Sequence, residues 1–133
     1  MEPALRDVKA RLADEVDARA DLLLDVSHRI HAHPELLYEE RYAHDLLTEV
    51  LAGEGLPVER SARGIGTAFE ARAGSAGPVV AVICEYDALP GIGHACGHNV
   101  IAAMAAGAGI GLAAVADEVG VEVTVLGTPA EES

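Results

Sequence analysis

Apolar residues in the first quarter of the chain recur every three or four positions among charged ones, the spacing typical of an amphipathic helix. This pattern predicts one long helix that ends near Pro34, because the residue before a proline avoids the helical conformation. A second helix is predicted over residues 36–51, with Gly53 and Gly55 closing it. The positions that define the first helix are Leu5, Val8, Leu12, Val16, Leu23, Val26 and Ile30.

After the second helix the apolar pattern changes to that of strands. Residues 58–63 and 65–73 predict the two strands of a hairpin. Residues 79–84 are a continuous apolar run, which is typical of a strand buried on both faces of a sheet, and residues 121–126 predict another buried strand. Between these runs lie the uncharged residues 100–116, which predict a buried helix. Strand, helix and strand with a short return make a βαβ crossover, so the two flanking strands should be parallel.

The composition is that of one domain with an aliphatic core, and the charge limits which classes of partner the protein can bind. Of the 133 residues, 50% are hydrophobic and only 3% aromatic, and the net charge is −13, which argues against nucleic acid or an anionic membrane as a partner. Residues 100–116 fall short of the ~20 residues of a membrane span and contain glycines, so the buried helix remains the better interpretation. The N-terminus shows no apolar signal segment, and two cysteines make no disulfide framework, so we expect a cytoplasmic protein.

The loop after the first buried strand carries candidate metal ligands. An α/β protein places its site where a strand delivers such a loop onto the start of a helix. Cys96 and His98 offer a thiolate and an imidazole, both good ligands of zinc and its neighbours. They cannot share an ion on a helix, where residues i and i+2 point apart, but Gly97 permits a turn in which they converge. Taken alone, such a pair is more often a buried cysteine and a helix-capping histidine.

A pair of carboxylates, Glu131 and Glu132, follows the second buried strand. One can bind a metal while the other takes a proton from water, although a Glu pair is more often a solvated turn. Because the carboxyl ends of parallel strands that flank one crossover lie side by side, we expect Asp87, Cys96 and His98 at the same rim as this pair. The chain must leave strand geometry at the pair, since successive strand residues face opposite sides.

Two other interpretations stay open. Gly91, Gly93 and Gly97 are spaced much like the glycines of a dinucleotide-binding loop, which would make the chain a nucleotide-binding α/β module. Residues 87–90 separate these glycines from the strand, whereas the fingerprint places them at the strand end. The chain could also be a truncated, non-catalytic remnant that packs against a partner through its exposed sheet edge.

Three ordered motifs resemble one known family. Asp87-Ala-Leu-Pro90 with Gly93-His-Ala-Cys-Gly-His-Asn99, and then Thr128-Pro-Ala-Glu-Glu132, resemble the amidohydrolase branch of the dizinc aminoacylase, carboxypeptidase and dipeptidase family. His31-Ala-His-Pro-Glu35, followed by Glu40, resembles the N-terminal helix-break motif of that branch. The family carries His-x-Asp where this chain has Glu85-Tyr-Asp87, so Glu85 is not an obvious ligand.

The resemblance implies a particular fold. It implies an α/β catalytic domain of the zinc-exopeptidase type, a three-layer arrangement of a mixed sheet and helices, of which residues 1–133 are an incomplete N-terminal portion. The lid or dimerisation domain of the family is absent from these residues.

The resemblance also implies a reaction and its residues. Cys96, His98 and Glu132 are expected metal ligands, Glu131 the general base and Asp87 the carboxylate that supports the site. The expected cofactor is Zn²⁺, with Mn²⁺ or Co²⁺ as alternatives and two ions in the full-length enzyme. The implied reaction is hydrolysis of an amide bond in an N-acyl amino acid or a dipeptide, by a protein that forms a homodimer in some family members. We expect the 133-residue chain alone to be inactive.

Overall fold

The computed structural model describes residues 4–133, in which four helices pack on a four-stranded sheet. A 3-10 turn, Ala62–Gly64, lies between the first two strands. This mixture of helices and strands confirms the predicted α/β class. The elements in chain order are α1 (Leu5–Asp17), α2 (Ala20–Ala32), α3 (Arg41–Gly53), β1 (Val58–Arg60), β2 (Phe69–Ala73), β3 (Val79–Cys84), α4 (His98–Val119) and β4 (Glu122–Gly127).

The sheet is mixed, with the strand order β1-β2-β4-β3. β1 pairs with β2, and β2 with β4, in antiparallel fashion, whereas β3 and β4 are parallel, with Cys84 opposite Gly127 at their carboxyl ends. The parallel pair is joined through α4, so the predicted crossover is confirmed. The segments that follow β3 and β4 therefore leave the sheet side by side at one rim.

The apolar helix α4 is the centre of the packing. It lies on β3 and β4, and α1 and α2 pack on its other side, while α3 packs against β1 and β2. By length and composition α4 could also cross a membrane, but 61% of its apolar stretch is buried inside the protein, as a core helix would be. Gly109 allows the helix to approach the sheet closely, because a Cβ built there would meet Cγ2 of Val125 at 2.3 Å.

The predicted single N-terminal helix is two helices, α1 and α2, with a break at residues 18–19. The backbone N–H of Arg19 donates to the Val16 carbonyl, at 3.0 Å, rather than to the carbonyl of Glu15. The Arg19 guanidinium instead donates to the Glu15 carbonyl at 2.8 Å and binds the Glu54 carboxylate at 2.8 Å. A side chain that reaches a distant partner thus replaces one bond of the helical ladder.

The expectation that β3 is buried on both faces is wrong. Val79, Val80 and Ile83 are 62%, 39% and 46% exposed. Among the described residues β3 is an edge strand that pairs with β4 alone, and helices cover one face of it. The apolar run correctly predicted a strand, but not how many neighbours that strand has.

Two predicted boundaries also shift. The hairpin is confirmed, but its strands are shorter than predicted because residues 61–68 form the connection, closed by a bond from the Ala62 N–H to the Ala68 carbonyl at 3.1 Å. The second helix begins at Arg41 rather than near residue 36. Its first turn is capped by the Glu35 carboxylate, which accepts the N–H groups of Tyr42 and Ala43 at 2.9 and 3.0 Å.

Candidate metal and catalytic centre

Two loops meet where β3 and β4 end. Thr128, the first residue after β4, donates both its backbone N–H, at 2.9 Å, and its hydroxyl, at 3.2 Å, to the Cys84 carbonyl at the end of β3. The Ala88 N–H donates to the Glu35 carbonyl at 2.8 Å, which joins the first loop to the segment ahead of α3. These bonds hold residues 85–98 and 128–133 at a common rim.

The first loop folds tightly between β3 and α4. Tyr86 is fully buried, stacks on Phe69 with ring centroids 6.0 Å apart, and donates its hydroxyl to the Thr67 carbonyl. Leu89 and Gly93 exchange backbone hydrogen bonds of 2.9 and 3.2 Å and so close a turn. Gly97, with φ +80°, turns the chain into α4, which makes His98 the first residue of the helix.

The buried imidazole of His98 joins the two loops. Its Nδ1 lies 2.9 Å from Asp87 Oδ1, and its Nε2 lies 2.8 Å from Glu132 Oε1 and 3.7 Å from Glu85 Oε1. A carboxylate only accepts, so Asp87 holds a proton on Nδ1, and without a metal Nε2 carries a second proton that it donates to Glu132; a metal ion would take the place of that second proton. This is the arrangement in which a histidine serves as a metal ligand with a carboxylate behind it.

The carboxylates around His98 perturb one another. Burial lowers the pKa of His98, but the hydrogen bonds with Asp87 and Glu132 and the charges of Asp87 and Glu85 outweigh burial and raise the pKa overall. Burial also raises the pKa of Glu85, as do its hydrogen bond with Glu131 and the neighbouring negative charges, while His98 lowers it. Several carboxyl groups lie close to one imidazole, and a divalent cation bound among them would reduce their mutual repulsion.

The donor atoms fit such a cation. One ligand atom from each of Glu85, His98 and Glu132 lies within 4.8 Å of the others. Glu85 Oε1 is buried and has no hydrogen-bond partner within residues 4–133. Carboxylate oxygens and an imidazole nitrogen are ligands of zinc and of the neighbouring divalent metals.

The structure brings together some of the residues singled out in the sequence and leaves others apart. His98 is in direct contact with both Asp87 and Glu132. Cys96 lies in the same loop, but it is exposed and its sulfur is not among the clustered donor atoms, so its role as a ligand stays a prediction. Glu131 is exposed, and its carboxyl reaches Glu85 rather than His98. The chain does leave strand geometry before this acid pair, since β4 ends at residue 127.

Glu85 is the member of the cluster that the sequence analysis passed over. It departs from the family's motif at its position, and that departure hid its role. The available signal was its place directly after β3, at the rim where the other acids were expected.

Comparison with known proteins agrees with this geometry. No family model matches the chain. The Xaa-Arg dipeptidase of Mus musculus is 42% identical over 139 residues, which cover 94% of this chain and 32% of the relative. One of the subunits of the p-aminobenzoyl-glutamate hydrolase from Escherichia coli is 30% identical, over 96% of this chain and 31% of the relative. A Bacillus subtilis structure, a dinuclear metal binding peptidase from the M20 family, superposes with a TM-score of 0.69 at 26% identity, over 87% of this chain and 36% of that one.

The fold is that of an M20 peptidase domain, with a rim that carries carboxylates around a histidine. The chain belongs to the M20 family and corresponds to its N-terminal part, which confirms the resemblance that the motifs carried. It spans about a third of the length of the curated relatives it matches, 32% and 31%. These relatives are hydrolases and give no support to the nucleotide-binding alternative.

Proposed function

We propose that the protein is a metal-dependent amidohydrolase that cleaves the amide bond of dipeptides or N-acyl amino acids. The observation that carries this proposal is the convergence of Glu85, His98 and Glu132 in front of Asp87 at the shared rim. The named activities of the relatives, a dipeptidase and an aminobenzoyl-glutamate hydrolase, support it. We further propose that residues 1–133 are the N-terminal portion of the catalytic domain, and that a lid or dimerisation domain lies elsewhere in the protein.

The proposed ligands are Cys96, His98 and Glu132, with Glu85 as an additional carboxylate on the same ion or on a second one. Zinc is the expected metal, and manganese or cobalt would suit the same donors. Asp87 orients His98 by holding the proton on Nδ1, so that Nε2 stays available. When bound, the ion supplies a Lewis acid that polarises the scissile carbonyl.

The proposed general base is Glu131. Its carboxylate is exposed at the rim beside Glu85, where it can take a proton from the attacking water and pass it to the leaving amine. Burial and the contact with Glu131 both raise the pKa of Glu85, so the two carboxyl groups can hold a proton between them.

The expected substrates are small amides. A dipeptide with a basic C-terminal residue suits the acidic rim and a chain of net charge −13, and an aminobenzoyl-glutamate-like amide is the alternative. A homodimer of the full-length protein and a cytoplasmic location are further parts of the proposal, as is the expectation that neither nucleic acid nor membrane is a partner.

Metal analysis of purified protein tests the proposal. The wild-type chain, loaded with zinc and dialysed, should retain about one or two ions, and His98→Ala should lose at least one of them. His28→Ala removes an exposed histidine of α2 and is the matched control, which should bind as the wild type does. Equal metal content in His98→Ala and the wild type would refute the site.

Measurements of enzyme turnover test the proposed amide hydrolysis and the role of Glu131. The full-length protein should hydrolyse a panel of dipeptides and N-acyl amino acids, and Glu131→Gln should abolish hydrolysis while metal content stays unchanged. Turnover by the isolated 133-residue chain would contradict the expectation that this part alone is inactive.

A further inference from the structure

The first turn of α4 is joined to α2 by the side chain of Asn99. This residue follows His98 and is buried. Its amide Nδ2 donates to the hydroxyl of Ser27 at 3.0 Å and, over a longer distance of 3.4 Å, to the Ser27 carbonyl. Ser27 belongs to α2. Among the described residues no other side-chain hydrogen bond joins α4 to α2.

The apolar packing between these two helices is incomplete beside the bond. A groove of about 450 Å³ lies between α2 and α4, and Ser27 is part of its lining, as are Leu24, Val100 and Met104. Val100 and Met104, in the turns directly after Asn99, are 49% and 67% exposed. Side chains that face a groove have no opposing atoms on one side and lose those contacts. The bond from Asn99 to Ser27 therefore fixes the start of α4 on α2 where packing alone does not.

The place of this turn determines the place of the imidazole at the rim. His98 is the first residue of α4, and its side chain is bonded on both edges, by Asp87 and by Glu132. Both carboxylates belong to loops at the carboxyl ends of the strands, so they hold the ring and not the helix. A shift of the first turn along α2 would move the ring relative to both carboxylates.

We propose that Asn99 is a positioning residue, whose bond to Ser27 holds the first turn of α4 against α2 and so keeps His98 in reach of Glu132. Asn99 acts through the helix backbone, since its side chain is bonded to Ser27 and not to the carboxylates of the rim. What His98 is held for rests on the proposed function, whereas how the turn is held does not.

Three substitutions separate this role from that of a buried polar group without a task. Asn99→Ala removes the amide, and because alanine is the better helix former, the change does not weaken the helix itself. Ser27→Ala removes the hydroxyl partner and leaves α4 untouched. Asn99→Asp is the conservative variant, because its carboxylate can accept the Ser27 hydroxyl, which donates as readily as it accepts. The matched control is Ser75→Ala, which removes a hydroxyl bond to Asp117 near the opposite end of α4.

The first readout is amide hydrogen exchange in the metal-free protein, relative to the intrinsic rate of each amide. The N–H groups of Val100 and Ile101 donate to the Gly97 carbonyl at 3.0 and 3.1 Å, so they report the opening of the first turn. Asn99→Ala and Ser27→Ala should each speed their exchange about twofold to tenfold, the contribution of one ordinary hydrogen bond. Asn99→Asp should exchange no faster than the wild type, and the control should match it.

The second readout is zinc affinity by competition titration. Asn99→Ala and Ser27→Ala should each lower the affinity about twofold to tenfold. Because both substitutions remove the same bond, the double variant should bind no more weakly than Asn99→Ala. Asn99→Asp should bind at least as tightly as the wild type, and Ser75→Ala equally tightly.

Each outcome decides the inference. Wild-type exchange in Asn99→Ala overturns it, and so does a wild-type zinc affinity in that variant or a double variant in which the two losses add. A loss in Asn99→Asp as large as that in Asn99→Ala also overturns it, since the bond would then not be the cause. Faster exchange in Asn99→Ala together with no zinc binding by the wild type supports the positioning role and overturns the proposed function instead. Should Asn99→Ala fail to fold, Ser27→Ala carries the same expectation.

Discussion

A single methyl group added at Gly109 should destabilise the protein, although alanine is a better helix former than glycine. Gly109 is buried in α4 where the helix crosses β4. A Cβ at this position would lie 2.3 Å from Cγ2 of Val125. Val125 is fully buried in β4, the strand with a neighbour on each side, and its branched side chain has little rotational freedom.

The expected magnitude follows from two opposing effects. Replacing glycine by alanine inside a helix favours the folded state by about 1 kcal/mol. Forcing an extra methyl group into a packed interior costs about 1–3 kcal/mol, because α4 or the strand must move to restore normal contact distances. The net result should be a loss of about 1 kcal/mol in the free energy of unfolding of Gly109→Ala.

Gly107→Ala is the control on the same helix. A Cβ at Gly107 would meet Cδ1 of Leu23 at 2.8 Å, and Cδ1 is the far end of a flexible side chain. Leu23 can rotate away, so the helix-propensity gain of up to about 1 kcal/mol should remain. The double variant Gly109→Ala/Val125→Ala should recover part of the loss of the first, with a coupling of about 1–3 kcal/mol, because the clashing methyl group is gone.

Urea unfolding followed by circular dichroism measures these differences, provided that the dependence on urea concentration stays the same among variants. Because α4 begins at His98, a helix displaced from β4 should also separate His98 from Glu132 and weaken zinc binding. A Gly109→Ala variant more stable than Gly107→Ala would show that the close approach of α4 to β4 is not as tight as the structure has it.

Three further predictions concern single side chains. Asp87→Ala should weaken zinc binding about 10-fold to 100-fold in a competition titration, and an unchanged affinity would argue that Asp87 does not orient the histidine. In the native protein a thiol reagent should modify the exposed Cys96 and spare Cys84, whose pKa burial raises; zinc should slow the reaction, and equal rates with and without zinc would count against Cys96 as a ligand. Two arginines lower the pKa of the buried Glu70 below its usual 4.5, so its stabilising charge is fully present above that value and is lost as the pH falls through the lower folded value. Glu70→Gln should therefore lower the urea midpoint at neutral pH and lower it much less in strong acid; a deficit of the same size at both would exclude the ion pairs as its source.

The elements that the sequence predicted correctly depend on local patterns. An uncharged run between two β-branched runs identified α4 and the crossover, because both the spacing and the residue types are properties of the segments themselves. The break between α1 and α2 depends on Arg19 reaching Glu54, 35 positions away, and no local spacing encodes that contact. The exposure of β3 depends likewise on which strands pair with it, and an apolar run does not state the number of its neighbours.

The residues of the site also fall into those that the sequence predicts and those that it does not. The sequence predicts that His98 and Glu132 lie close together, because topology alone places the ends of two parallel strands side by side. Glu85 could not be assigned, since what distinguishes it is a buried oxygen without a hydrogen-bond partner among the described residues. In the sequence it is one glutamate among many acids.

The site is thus supported from two independent directions. α4 carries His98, and its distance from β4 is set by the packing of Gly109 against Val125. The turn with Glu132 is tied to the sheet from the other side by Thr128, whose backbone N–H and hydroxyl both donate to the Cys84 carbonyl, and the loop of Asp87 is anchored by the Glu35 carbonyl. Damage to the helix packing should therefore lower global stability and metal binding together, whereas Thr128→Val, which removes only the hydroxyl bond of the turn, should lower metal binding with little loss of stability. Measuring both quantities for both variants separates a site that fails because its scaffold loosens from one that fails because a single turn is no longer held.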